Sequence, residues 1–83
     1  MENMHSFEVT FDRPFHPMKL LTNAVFMKSL PNLDGIRGRE GDLTQTFRLI
    51  PQEGVSEDTV RELLQQELTA MGYAIHAIRA IQG

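Results

Sequence analysis

His16 and Met18 flank Pro17 and are the side chains in this chain best suited to hold a soft metal ion, with His5 as a third donor. Two or three such donors without thiolate or carboxylate support make a poor site, so His16 is read as a loop residue or helix cap. His76 stands mid-strand, far along the sequence from the others, and reads as a partly buried histidine with a backbone partner. Glu67 falls within an otherwise apolar helical stripe. Desolvating an unpaired carboxylate is costly, so it is expected to reach solvent or a cation, with Lys19 or His16 as candidates. A role as general acid or base would need a partner nucleophile, and none stands out.

The glycines at 35, 38 and 41 form a second candidate. Gly35-Ile36-Arg37-Gly38 matches a GxxG pattern, whose nucleic-acid version sits between two helices. A phosphate loop requires a helix N-terminus directly afterwards to supply N–H donors. Here a strand follows, so the segment reads as a flexible hairpin carrying a small basic spot, Arg37 and Arg39. No catalytic constellation emerges, and the chain is expected to be non-enzymatic and to need no cofactor.

Composition narrows the classes further. Eighty-three residues suit one small domain. With 41% hydrophobic and 23% charged residues, the chain has the make-up of a folded soluble protein. It has no cysteine, which excludes disulfide staples, thiolate catalysis and cysteine-rich metal centres. A net charge of −3 argues against a nucleic-acid partner. No apolar run approaches the roughly 20 residues of a membrane span. The first residues lack the basic and apolar regions of a signal peptide. A cytoplasmic protein with no membrane association is expected, residues 1–5 forming a tail.

These residues must be positioned by regular elements. Residues 6–12 alternate, with Phe7, Val9 and Phe11 on one face and Ser6, Glu8, Thr10 and Asp12 on the other, as a half-buried strand does. Pro17 suits the first position of a helix over 17–30, in which Leu20, Leu21, Ala24, Val25 and Met27 share an arc. Phe26 falls on the polar side of that wheel: either it is exposed, or residues 24–30 are extended. Turn residues fill 31–42, with a short strand over 33–39. Residues 43–50 form a strand with Leu43, Phe47 and Leu49 inward.

The second helix is the most strongly signalled. Ser56 is an N-cap, Glu57 and Asp58 suit the first turn, and Val55 with Val60 forms a hydrophobic staple. Val60, Leu63, Leu64, Leu68 and Met71 make its buried stripe, and Gly72 suits the left-handed C-terminal turn. Residues 73–82 read as a strand, with Tyr73, Ile75, Ala77, Arg79 and Ile81 on one face and Ala74, His76, Ile78 and Ala80 on the other. Both faces are semi-apolar, as in a central, bulged or covered strand. The expected fold is α+β and ferredoxin-like, βαββαβ, with a four-stranded antiparallel sheet in order 4-1-3-2 and two helices on one face.

The succession of Leu30, the Leu33-Asp34-Gly35-Ile36 segment, a strand, Ser56-Glu57-Asp58, a helix and Gly72-Tyr73 resembles the small heavy-metal-associated domains. Those carry a leucine-x-glycine-valine segment before the second strand and a glycine-tyrosine after the second helix. The resemblance covers about two-thirds of the chain. It implies their ferredoxin-like fold. Their Met-x-Cys-x-x-Cys metal loop corresponds here to residues 12–18, which lack both thiolates, so no metal-binding residue carries over.

The functional expectation is a small acidic interaction module. It docks onto a protein partner as an inhibitor or accessory protein, or assembles with itself as a homodimer. Met18, Phe26, Met27, Arg37, Arg39, Tyr73, Ile75, Arg79 and Ile81 are the expected contact residues, because adaptable methionines and exposed apolar groups suit partner binding. The alternative is a small-ligand or metal sensor using residues 13–18 and the hairpin at 37–42.

Overall fold

A computed structural model describes residues 4–81. Along the chain run β1 (His5–Phe11), α1 (Pro17–Leu21), α2 (Ala24–Ser29), β2 (Leu33–Arg37), β3 (Thr44–Leu49), α3 (Glu57–Ala70) and β4 (Ile75–Ile81). The four strands form one antiparallel sheet in the order β2-β3-β1-β4. β1 is central, placing Val9 between Gln45 of β3 and Ile78 of β4. The alternation of β1 is realised from Phe7 to Phe11, with Phe7, Val9 and Phe11 buried and Glu8 and Thr10 less so; Ser6, expected on the open face, is buried, and Asp12 lies beyond the strand. His5 already pairs with Leu49, so no tail extends as far as residue 5. Residues 1–3 of the expected tail, and Gln82 of the expected last strand, lie outside the described residues.

One core joins the sheet to the helices: Phe7, Val9, Phe11, Phe47 and Leu49 meet Leu20, Phe26, Val60, Leu64 and Leu68. α3 follows its sequence signals closely. The Ser56 hydroxyl accepts from the Thr59 N–H at 3.2 Å, and Gly72 ends the element with φ +92°. Leu63 departs from the expected stripe. At 42% exposure it lies outside the row of Val60, Leu64 and Leu68, which repeats every four residues.

The first crossover corrects the expectation of one continuous helix. The chain breaks at Thr22 and Asn23. The Thr22 hydroxyl bonds back to the Met18 carbonyl at 2.7 Å, and the Asn23 Oδ1 accepts from the Phe26 N–H at 3.0 Å. Asn23 is extended (φ −87°, ψ 108°), so α2 restarts with a new helical phase. Phe26 is thereby turned inward to 1% exposure while Val25 is left at 71%. Neither sequence alternative for Phe26 holds, since the segment is helical and the ring is buried.

A bulge opposite Thr10 and Phe11 resets the facing of β4. Ile75 and Ile78 both pack against the core, whereas Arg79 lies across from Glu8 and Ala77 across from Thr10 on the outer face. Ala77, Arg79 and Ile81 share the outer face as expected, and the correction concerns Ile75, which the bulge turns inward. Tyr73 precedes the strand instead of belonging to it.

Candidate functional site

Three regions have the composition of a site. The first is the end of the sheet where β1 leaves for α1 and β2 turns into β3. Phe15 is the anchor of this end, although its position in a proline-rich loop gave no periodic signal. It is 1% exposed and stacks on Phe11 with ring centroids 4.3 Å apart, and Tyr73 and Phe47 close the cluster at 5.0 and 5.8 Å. Backbone bonds then tie the loop to the hairpin. Phe15 N–H donates to the Asp42 carbonyl at 3.2 Å, and Gly41 N–H donates to the Phe15 carbonyl at 2.8 Å.

Gln45 completes that lock from β3, in the inward row where Leu43 had been expected. Leu43 instead is about half exposed at the strand's start. The buried Gln45 amide donates to the carbonyls of Arg39 at 2.8 Å and Asp42 at 3.2 Å. Its Oε1 has no hydrogen-bond partner and faces Gly38, where a Cβ would run into it. The two loops named by the sensor reading are thus brought together, but their polar backbone groups bond to one another. Among the described residues, no group of three or more His, Cys, Asp or Glu stands together as a metal site.

The second region is the outer sheet face. It carries Glu8 and Arg79 in an ion pair at 2.9 Å and the Thr10 and Thr44 hydroxyls at 3.1 Å, together with Thr46 and Arg48. Glu8 and Arg79 neutralise each other, Arg48 makes no ion pair among the described residues, and no aromatic ring in this row offers a stacking platform.

The third region is the free border of β4. Phe11 donates its N–H to Leu43 on the β3 side, and Asp12 donates to Ala74 on the β4 side. Backbone groups alternate sides along an antiparallel ladder. Glu8 and Thr10 therefore bond β4 at Arg79 and Ala77, and the N–H and C=O of Ile78 and Ala80 point away from the sheet. Natural edges are usually blunted by charge, proline, bulges or short length. β2, at the opposite border, has such protection: five residues including Asp34, Gly35 and Arg37, with a register shift between Leu33 and Gly35. β4 runs seven residues, Ile-His-Ala-Ile-Arg-Ala-Ile; its own bulge is confined to the Ile75 end, and Arg79 is its one formal charge, held by Glu8.

The expected contact residues do not converge on one patch. Met18 is 57% exposed on α1, and Arg37 and Arg39 are exposed at the hairpin. Phe26 is interior and touches no surface, a correction that follows from the Asn23 cap. Met27, Tyr73 and Ile75 pack against the core from partly buried positions. Arg79 and Ile81 lie on β4, whose outward backbone groups belong to Ile78 and Ala80, and Arg37 lies at the end of β2. Glu67 is half-buried, and among the described residues it makes no ion pair with Lys19 or His16. No family model, no curated protein and no solved structure matches the chain. No helix among the described residues is long and apolar enough to cross a membrane.

Proposed function

We propose that the chain is a non-enzymatic protein-interaction module of ferredoxin-like build that works by strand addition at β4, as an inhibitory or accessory protein or by self-assembly. The strand order β2-β3-β1-β4, with helical crossovers after β1 and β3, supports the ferredoxin-like reading, and with it the fold-level likeness to heavy-metal-associated domains. The single observation that carries the function is the contrast between the two borders: β2 is short and charged, whereas β4 is longer and regular from Ala77 to Ile81, beyond its bulge. An open border supplies backbone donors and acceptors in register, and alternate side chains supply specificity.

The test compares two immobilised forms of the chain in extract of the native host. Ala80→Pro deletes an N–H that points away from β1, so the sheet's own ladder keeps its bonds. Proteins retained by the unmodified chain and lost from Ala80→Pro support docking at β4. Identical retention on both forms rules it out.

A second reading, a small-ligand or metal sensor, is favoured by the joining of the 13–18 loop to the hairpin through Phe15, Gly41 and Asp42. Thermal-shift measurements with copper(I), zinc and common metabolites decide it. A ligand-dependent rise in Tm abolished by His16→Ala and Met18→Ala supports the sensor, and no response removes it.

A further inference from the structure

The docking reading leaves open what strand β4 accepts. Resting on that reading, we infer that it accepts β4 of a second copy of this chain, antiparallel, about a two-fold axis through Ile78. The strand's own sequence selects that arrangement. With the axis at Ile78, the two Ile78 side chains meet on the core side, beside Val9 of each copy. His76 lies opposite the partner's Ala80, and Arg79 opposite the partner's Ala77. Each bulky cationic or ionisable group therefore faces a methyl group, and no like charges meet.

The neighbouring registers lose this match. A one-residue slip places side chains of opposite faces across from each other. An axis at Arg79 sets two guanidinium groups directly opposite, which is destabilising. An axis at Ala77 sets Arg79 against the partner's Ile75, at the bulge, and Ile78 against the partner's His76.

The backbone agrees. Ile78 directs both its N–H and C=O outward, so at the axis it exchanges two hydrogen bonds with its own copy. Ala80, also outward, is free to bond the segment around the partner's His76. The two sheets become one continuous layer, with helices of both copies on the same side. Arg79 keeps its bond to Glu8 of its own chain. Ile78, only partly covered in the single chain, becomes fully flanked by Val9 on one side and the partner's Ile78 on the other.

Size-exclusion chromatography with light scattering on the whole chain, over a concentration series, tests the inference. The expected mass is twice that of the chain. Ala80→Pro is expected to weaken self-association by at least about tenfold, a difference of about 1.4 kcal/mol, while the far-ultraviolet dichroism stays that of the folded protein. Should Ala80→Pro fail to fold, Ala77→Arg decides alone. Ala77 is exposed, and the new guanidinium faces the partner's Arg79, so the dimer dissociates without loss of fold. Ala77→Glu faces the same arginine with the opposite charge and leaves the dimer intact.

A single-chain mass for the unmodified protein at submillimolar concentration overturns self-pairing. So does a dimer that withstands Ala77→Arg, or one that Ala77→Glu disrupts as readily. Failure here alongside Ala80-dependent retention of another protein leaves docking at β4 standing with a foreign strand as its occupant. Failure of both removes β4 as a functional surface.

Discussion

The Asn23 side chain caps α2 by accepting the Phe26 N–H at 3.0 Å, and that bond sets the helical phase that buries the Phe26 ring. A short polar side chain thus decides where a large apolar one goes. Phe26→Ala is expected to cost about 3–5 kcal/mol, the usual range for a fully buried aromatic truncated in a core. Asn23→Ala is expected to cost about 1 kcal/mol as a lost cap, and Asn23→Ser to recover most of it. Urea unfolding with an unchanged slope checks all three. A Phe26→Ala midpoint equal to that of the parent would place the ring at the surface.

Phe15 and Met18 are neighbours in sequence with opposite expected behaviour. Phe15 is enclosed by Phe11, Phe47 and Tyr73, whereas Met18 projects into solvent. Phe15→Ala is expected to lower stability by about 3–5 kcal/mol. Met18→Ala, at an exposed position outside any buried network, is expected to fall within about 0.5 kcal/mol of the parent. Thermal unfolding of the two variants side by side measures the contrast, and equal shifts would contradict it.

The hairpin lock gives a third expectation. Gly38 sits at φ +150° with its Cα against the Gln45 side chain, so Gly38→Ala meets backbone strain and a collision together. Gln45→Ala removes one of the two donors at each of the Arg39 and Asp42 carbonyls, which keep the Asp42 and Phe15 N–H groups, at a cost of about 0.5–1.5 kcal/mol per lost bond. Amide exchange at Gly41, whose N–H is held by the Phe15 carbonyl, is expected to accelerate in both variants. Unaltered exchange there would separate the loop from the hairpin.

On the outer face, the Glu8–Arg79 pair crosses from β1 to β4 at 2.9 Å but leaves Arg79 mostly in water. Exposed cross-strand pairs contribute about 0.2–1 kcal/mol. A double-mutant cycle with Glu8→Gln and Arg79→Gln is expected to give a coupling in that range that fades as salt is raised. A coupling well above it and insensitive to salt would mean that the pair is sheltered from solvent.

The strands and α3 are legible in the sequence because each relies on local rules that agree: period-two alternation in β1, and a serine cap, staple and glycine stop around α3. The first crossover is less so. Asn23 is a good capping residue, but in the middle of an apolar periodicity it reads as one more polar helix position, and the phase break conceals Phe26. Phe15 and Gln45 escape local rules for another reason. Their burial depends on two loops meeting, and no local period encodes that meeting. The facing of β4 beyond the bulge is likewise set by pairing with β1, through an extra residue that the strand's own composition does not announce. The border contrast is legible in the chain, with Asp34, Gly35 and Arg37 on one strand and Ile78 and Ala80 on another.

The protection built into β2 has a further consequence. A sheet that accepts strands at both borders polymerises, each added molecule offering a fresh template to the next. Here the register shift at Leu33 and Gly35 and the charges of Asp34 and Arg37 close one border. On the proposed pairing, occupation of β4 would terminate growth, so that a chain with a long apolar edge would not become the seed of a fibre.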